Sequence, residues 1–269
     1  MGMATILDDF LKYRDDQGLN QNATANGKGI TSQNGALFTA QYLICLQADK
    51  TTDDHTKYKE TERIVDIFLD LAVQPGLSVR YHGCNDYESM DNTTALVAIS
   101  GLYGDGAFAE EMYQHGEKVS GHTYDTTQDA ANNKTLYTYA RIFNLGFYPD
   151  WFFNNQNPDL FCGAGWFGRS PAMVGLIKMA SGKHVVNPID FIGVLVGQFI
   201  GAFTATDNLD ARTLSYVAWQ FLKERSFFWK MAYKLWCWKL MRDYPRGMRD
   251  VYSRYFGESH PIVKYSNNY

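Results

Sequence analysis

Three dipeptides in the second half of the chain place a helix-capping side chain directly before a proline. They are Asn157-Pro158, Ser170-Pro171 and Asn187-Pro188. Asn and Ser caps accept hydrogen bonds from the free backbone amides at the start of a helix, and proline is well tolerated at the first helical position. Each pair therefore predicts the start of a helix, and three such starts favour an all-α fold.

Apolar residues recur at helical spacing along most of the remaining chain. In the first third of the chain, this spacing predicts helices over 3–14, after Ser32–Gly35, and from a cap at Thr52, Asp53 or Asp54 up to Pro75-Gly76. It then predicts a helix over 107–118, with Phe108, Met112 and Tyr113 facing inwards, and another over 136–147. One or two long helices are predicted over 209–241. Strand-like alternation occurs only at Leu77–Tyr81. The fold class predicted from these patterns is all-α.

No Pro/Ser-rich linker and no fixed-period repeat divides the 269 residues. We therefore expect a single helical domain over 1–269, with residues 255–269 as a C-terminal tail or clamp. Paired amphipathic helices with long polar loops indicate helical hairpins. Two arrangements stay open, an α/α toroid and an irregular bundle.

The most apolar run, Phe191–Phe203, contains Gln198 and is shorter than the about 20 residues that a membrane span needs. It predicts a core helix and no membrane span. The first residues lack the basic and apolar regions of a signal peptide.

The four cysteines are widely spaced, with no CxxC pair and no Cys/His cluster, which predicts free thiols in a reducing compartment. They are Cys45, Cys84, Cys162 and Cys237. His82 lies near Asp86 and Asp91, and His122 lies near Asp125, but two residues do not make a metal site. We expect neither a metal nor a cofactor.

A polar loop precedes the apolar run Ala95–Leu102 and carries several candidate site residues. Asp86, Glu88 and Asp91 could supply the acid and base of glycoside cleavage, which needs two carboxyl groups across the scissile bond. Arg80, His82 and Asn92 could bind a ligand beside them. The alternative is structural, because Ser89 or Asp91 would also serve as an ordinary helix cap.

A second candidate loop, Gly163–Pro171, is rich in glycine and contains Trp166 and Arg169. The indole offers a flat stacking surface, and the guanidinium offers a fork-shaped anion donor. A tight loop with Trp166 inserted into the core explains the same residues without a ligand. The two loops could face each other across a cleft.

The net charge of −4 hides an asymmetry along the chain. Residues 1–120 hold 9 Lys/Arg against 18 Asp/Glu, whereas residues 205–269 hold 11 against 6. Opposite charges at the two ends could steer a partner, let copies dock head to tail, or face each other within one fold.

The C-terminal helices mix lysines with aromatic rings, but the rings recur at core-facing spacing, so we expect packing rather than nucleic-acid binding.

Four stretches resemble a family of uncharacterised proteins encoded by tailed bacteriophages and prophages. They are Ser32–Leu46, Glu88–Ser100, Trp166–Lys178 and Tyr244–Pro261. In that family the second stretch usually reads Ser-His-Asp-Asn, whereas this chain has Met90 in place of the histidine. If that histidine is catalytic in relatives, this copy would be impaired. The resemblance implies a viral setting and brings no established activity.

These observations support three functional hypotheses. The leading one is a virion-associated structural or assembly protein of the phage tail, neck or capsid, which contacts other virion proteins or copies of itself in the virion or the host cytoplasm. The second is a glycan-directed hydrolase, lyase or carbohydrate-binding module with a toroid cleft and a host glycan as partner. The third is an intracellular phage regulator or anti-defence protein. Whether the chain is an enzyme is left open.

Overall fold

The computed structural model describes residues 6–20, 22–23, 29–30, 35–74, 77–79, 81–84, 95, 98–99, 101–103, 107–120, 171–182, 185–204 and 209–244. Within these residues, eight helices have defined bounds: α1 Ile6–Lys12, α2 Gly35–Ala48, α3 Asp54–Asp70, α4 Ala107–Ser120, α5 Pro171–Ser181, α6 Pro188–Thr204, α7 Leu209–Leu222 and α8 Phe227–Asp243. The predicted all-α class is confirmed. Closure into a toroid and the single-domain boundaries stay predictions.

Two short antiparallel ladders accompany the helices. Strand β1 (Asn22–Ala23) pairs with β2 (Gly29–Ile30), and β3 (Ala72–Gln74) pairs with β4 (Leu77–Ser78). The strand expected at Leu77–Tyr81 is thus confirmed only for its first two residues. The expected stop of α3 at Pro75-Gly76 is wrong, because the helix ends at Asp70 and Val79 N–H donates to the Leu71 carbonyl to close the hairpin instead.

Helix α2 is the centre of the core. It contains no Asp, Glu, Lys, Arg or His, and every residue from Gly35 to Leu46 is buried. A helix that is apolar on all sides must be surrounded by other elements. Helices α1, α3, α5 and α7 pack against it. The apolar run Ala95–Leu102 also contributes to the core, since its described residues are helical and Ala95, Ala98, Ile99 and Leu102 are buried.

A buried carboxylate joins α2, α3 and α7. Asp49 follows α2 directly and accepts hydrogen bonds from the hydroxyls of Thr51 (2.8 Å), Thr52 (2.6 Å) and Tyr216 (3.0 Å). Burial alone would raise the pKa of Asp49, but these hydrogen bonds outweigh it and lower the pKa below its usual value. The next helix then begins at the predicted cap, where Asp53 accepts from the Thr56 backbone N–H at 2.9 Å.

Helices α5 and α6 form a close hairpin, in which α5 packs against α2. Both begin at the predicted prolines, Pro171 and Pro188. Asn187 caps α6 by accepting from the Asp190 N–H (2.9 Å), and Asp190 accepts in return from the Asn187 N–H (2.8 Å). A Cβ on Gly175 would lie 2.4 Å from the Asp190 carbonyl oxygen, so only glycine permits this approach of α5 to α6.

Candidate functional site

Most of the predicted site residues lie outside the described residues. These are Arg80, Asp86, Glu88, Asp91, Asn92, Trp166 and Arg169. Only His82 is described, and it lies in an exposed turn between Tyr81 and Cys84. The two-loop cleft and its carboxylates therefore stay predictions.

The feature that the described residues do present is an apolar surface on α6 and α8. Its nine large side chains are Ile189, Ile192, Val196 and Phe199 on α6, and Phe227, Phe228, Trp229, Met231 and Leu235 on α8. Their exposed fractions run from 38% at Met231 to 76% at Phe227. We call these nine residues the outer face.

The outer face corrects two expectations. Phe227, Phe228 and Trp229 were expected to pack inside, but more than half of each side chain is exposed. The run Phe191–Phe203 was expected to be a core helix, but only one side of α6 is buried, including Val194 and Gln198. Helical spacing shows that apolar residues share a side of a helix, and it does not show that the side is covered.

Helices α6 and α8 lie side by side and run in the same direction. The rings of Phe191 and Trp229 pack edge to face near their N-termini (6.3 Å between centroids), and those of Phe199 and Tyr244 do so near their C-termini (5.5 Å). Both helices also pack against α7. Each of the two helices therefore buries one side against the core and exposes the other.

The inner side of α6 is held to α5 by a fully buried ion pair. Lys178 Nζ lies 3.2 and 3.3 Å from the two carboxylate oxygens of Asp190, and both side chains are 0% exposed. Charges removed from water in this way need close partners to offset the loss of hydration. The pair therefore fixes the position of α6 on α5 at its first turn.

A buried amide holds α6 to α7 and α8. Gln198 donates through Nε2 to Ser215 Oγ on α7 (2.6 Å) and to the Tyr233 hydroxyl on α8 (3.2 Å). Its Oε1 accepts from Trp236 Nε1 on α8 (3.0 Å). One side chain thus links three helices, which sets the rotation of α6 and turns its apolar stripe outwards.

The thiol in this junction is unreactive. Burial raises the pKa of Cys237 to about 12, against the opposing effect of hydrogen bonds from Gln198 and Tyr233. Burial likewise raises the pKa of Cys45 to about 12. A thiolate is the nucleophilic and metal-binding form, so both thiols stay inert near neutral pH. In the described ranges, no group of three or more His, Cys, Asp or Glu side chains could hold a metal ion.

Cations border the outer face on α8 and on the turn before it. The segment 223–244 holds six of them, Lys223, Arg225, Lys230, Lys234, Lys239 and Arg242, against Glu224 and Asp243. Three of these cations lie over aromatic rings: Arg225 over Phe221 (4.5 Å), Lys234 over Trp219 (5.9 Å) and Arg242 over Trp238 (5.3 Å). By contrast, the single ionisable residue of α6 is the buried Asp190. The outer face is therefore neutral along α6 and cationic along α8.

None of the described helices is both long and apolar enough to cross a membrane. Comparison of the chain with protein-family models, curated proteins and solved structures finds no match.

Proposed function

We propose that this chain is a virion-associated structural or assembly protein of a bacteriophage, which works in the tail, neck or capsid through protein–protein contacts of its outer face. The observation that carries this proposal is the extent of that face. Each of its side chains leaves on the order of 100 Å² in water, so the four on α6 leave about 400 Å² and the five on α8 about 500 Å². The largest apolar patch of a typical monomer is about 300–600 Å² and is often functional, so two stripes of this size on neighbouring helices indicate an interaction surface.

The composition of the outer face also supports a protein partner. Aromatic residues and methionine are enriched in the centres of protein–protein interfaces, and polar groups surround them. Here Phe228, Trp229 and Met231 lie among the cations of α8, while α6 contributes only aliphatic and aromatic side chains. The viral setting comes from the resemblance of four stretches of the sequence to the phage family.

Quantitative mass spectrometry of purified particles tests the proposal directly. Particles of the virus that encodes this chain should contain it in a fixed number of copies, and Leu235→Glu should lower that number because it places a charge in the outer face. Val119→Glu is the control, since Val119 is exposed on α4 and lies outside the face. Absence of the wild-type chain from washed particles would refute the proposal.

A further inference from the structure

The exposed stripe of α6 has the spacing of a helix-pairing seam. Its members, Ile189, Ile192, Val196 and Phe199, follow one another at intervals of three, four and three residues. This is the a/d spacing by which helices pack knobs into holes. The stripe runs along most of a 17-residue helix, which is about 25 Å long at 1.5 Å per residue. The seam therefore fits another helix of three or more turns.

We propose that a second copy of this chain occupies the seam, with α6 of one copy antiparallel to α6 of the other across a two-fold axis. This inference rests on the proposed use of the outer face for protein–protein contacts and names its first partner. In a two-fold interface both copies contribute the same residues, so the surface must be complementary to itself. Helix α6 does so, because its one ionisable residue is buried against Lys178.

Charge places α6 rather than α8 at the axis. Two copies of α8 facing each other would bring Lys230, Lys234 and Lys239 against their own equivalents, and like charges across an interface are unfavourable. With α6 at the axis, the cations lie towards the rim, where they stay hydrated. Antiparallel α6 helices also place opposite ends of their dipoles together.

The seam supplies the centre of such an interface and about half of its area. A specific interface buries about 800 Å² on each partner. The four seam side chains leave about 400 Å² in water, and residues that flank the seam would supply the rest. An acidic protein or an anionic lipid surface would instead bind first to the cations of α8. Experiments that compare α6 with α8 therefore distinguish these partners from a second copy of the chain.

Sedimentation equilibrium of the full chain measures the pairing. The wild type should have twice the chain mass of 30.6 kDa at micromolar concentration. Val196→Glu should weaken pairing by about 100-fold or more, since it brings two carboxylates together near the axis. Val119→Glu, the same change at a similarly exposed valine on α4, should leave the mass unchanged. Circular dichroism should show the same helix content in all three.

A charge exchange tests the antiparallel register. In this arrangement position 192 of one copy lies opposite position 196 of the other, so Ile192→Glu and Val196→Lys should each disrupt pairing, whereas the double variant should restore it. A wild-type chain that is monomeric, or that pairs only when acidic protein or anionic vesicles are added, would overturn the inference. A monomer that is still present in purified particles would overturn the pairing alone, and a dimer that is absent from them would overturn the proposed function alone.

Discussion

Removing Lys178 should destabilise the fold more than any single change at the surface. Lys178 Nζ and the Asp190 carboxylate are 3.2 Å apart and inaccessible to water. At this distance and an effective dielectric constant of about 20, their attraction is about 5 kcal/mol. Lys178→Met keeps the aliphatic stem and leaves the carboxylate buried without its cation. Breaking a buried pair in this way costs about 3–5 kcal/mol.

Urea unfolding followed by circular dichroism gives the free energy of unfolding for this test. We expect Lys178→Met to lower it by about 3–5 kcal/mol and the melting temperature by about 10 °C. The double variant Lys178→Met/Asp190→Asn removes both charges and keeps an amide oxygen for the Asn187 N–H, so most of the loss should be recovered.

The matched control is Lys50→Met, which removes the same side chain from an exposed pair with Glu224 at 3.6 Å. Exposed pairs contribute about 0–1 kcal/mol, so this variant should resemble the wild type. If Lys178→Met cost no more than Lys50→Met, or if the double variant were no more stable than Lys178→Met, the pair would not hold α6 on α5 as we describe.

Three further predictions concern the contacts that shape the core. Gly175→Ala should lower the free energy of unfolding by about 1–3 kcal/mol, because its Cβ would meet the Asp190 backbone and overpack the hairpin. Gln198→Leu should lower it by about 3 kcal/mol, because the buried hydroxyls of Ser215 and Tyr233 lose their hydrogen bonds at about 1–3 kcal/mol each. Asp49→Asn should be less stable than the wild type at pH 7 and should show a flatter loss of stability on acidification.

The sign of the Asp49 effect follows from its lowered folded-state pKa. Its contribution is fully present above the unfolded pKa of about 4 and disappears as the pH falls through the folded-state value. Unfolding curves between neutral and strongly acidic pH measure this dependence, and equal slopes for the two proteins would contradict it. For the other two variants, stability equal to that of the wild type would show that α5 and α6, or α6 and α8, have room to rearrange.

Local signals in the sequence predicted the starts of helices well. Asp53 caps α3, and α5 and α6 begin at Pro171 and Pro188. Capping depends on residues within one turn, so the sequence contains the whole interaction. The prediction for the end of α3 was wrong because that end depends on a contact further along the chain, in which Val79 pairs with Leu71.

The outer face was missed for a related reason. The spacing of Ile189, Ile192 and Val196 was visible, but the same spacing is typical of a core-facing stripe. Which side of α6 faces inwards depends on its contacts with Lys178 on α5 and with helices α7 and α8. These contacts come from other parts of the chain, so the sequence of α6 alone does not reveal them. A usable signal was the lack of ionisable residues in α6 apart from Asp190. A helix without a polar side must be covered on every side, by its own chain or by another.

Helix α6 reverses the usual amphipathic arrangement, and this reversal is the strongest reason to regard its outer side as an interface. Its ionisable residue and its glutamine are both fully buried, whereas four large apolar side chains are exposed. Buried polar groups need defined partners, so Asp190 and Gln198 restrict α6 to one position and one rotation on the core. The exposed stripe is therefore presented on a rigid helix. Association through such a stripe needs little additional ordering of the chain, which leaves more of the apolar burial to stabilise the complex.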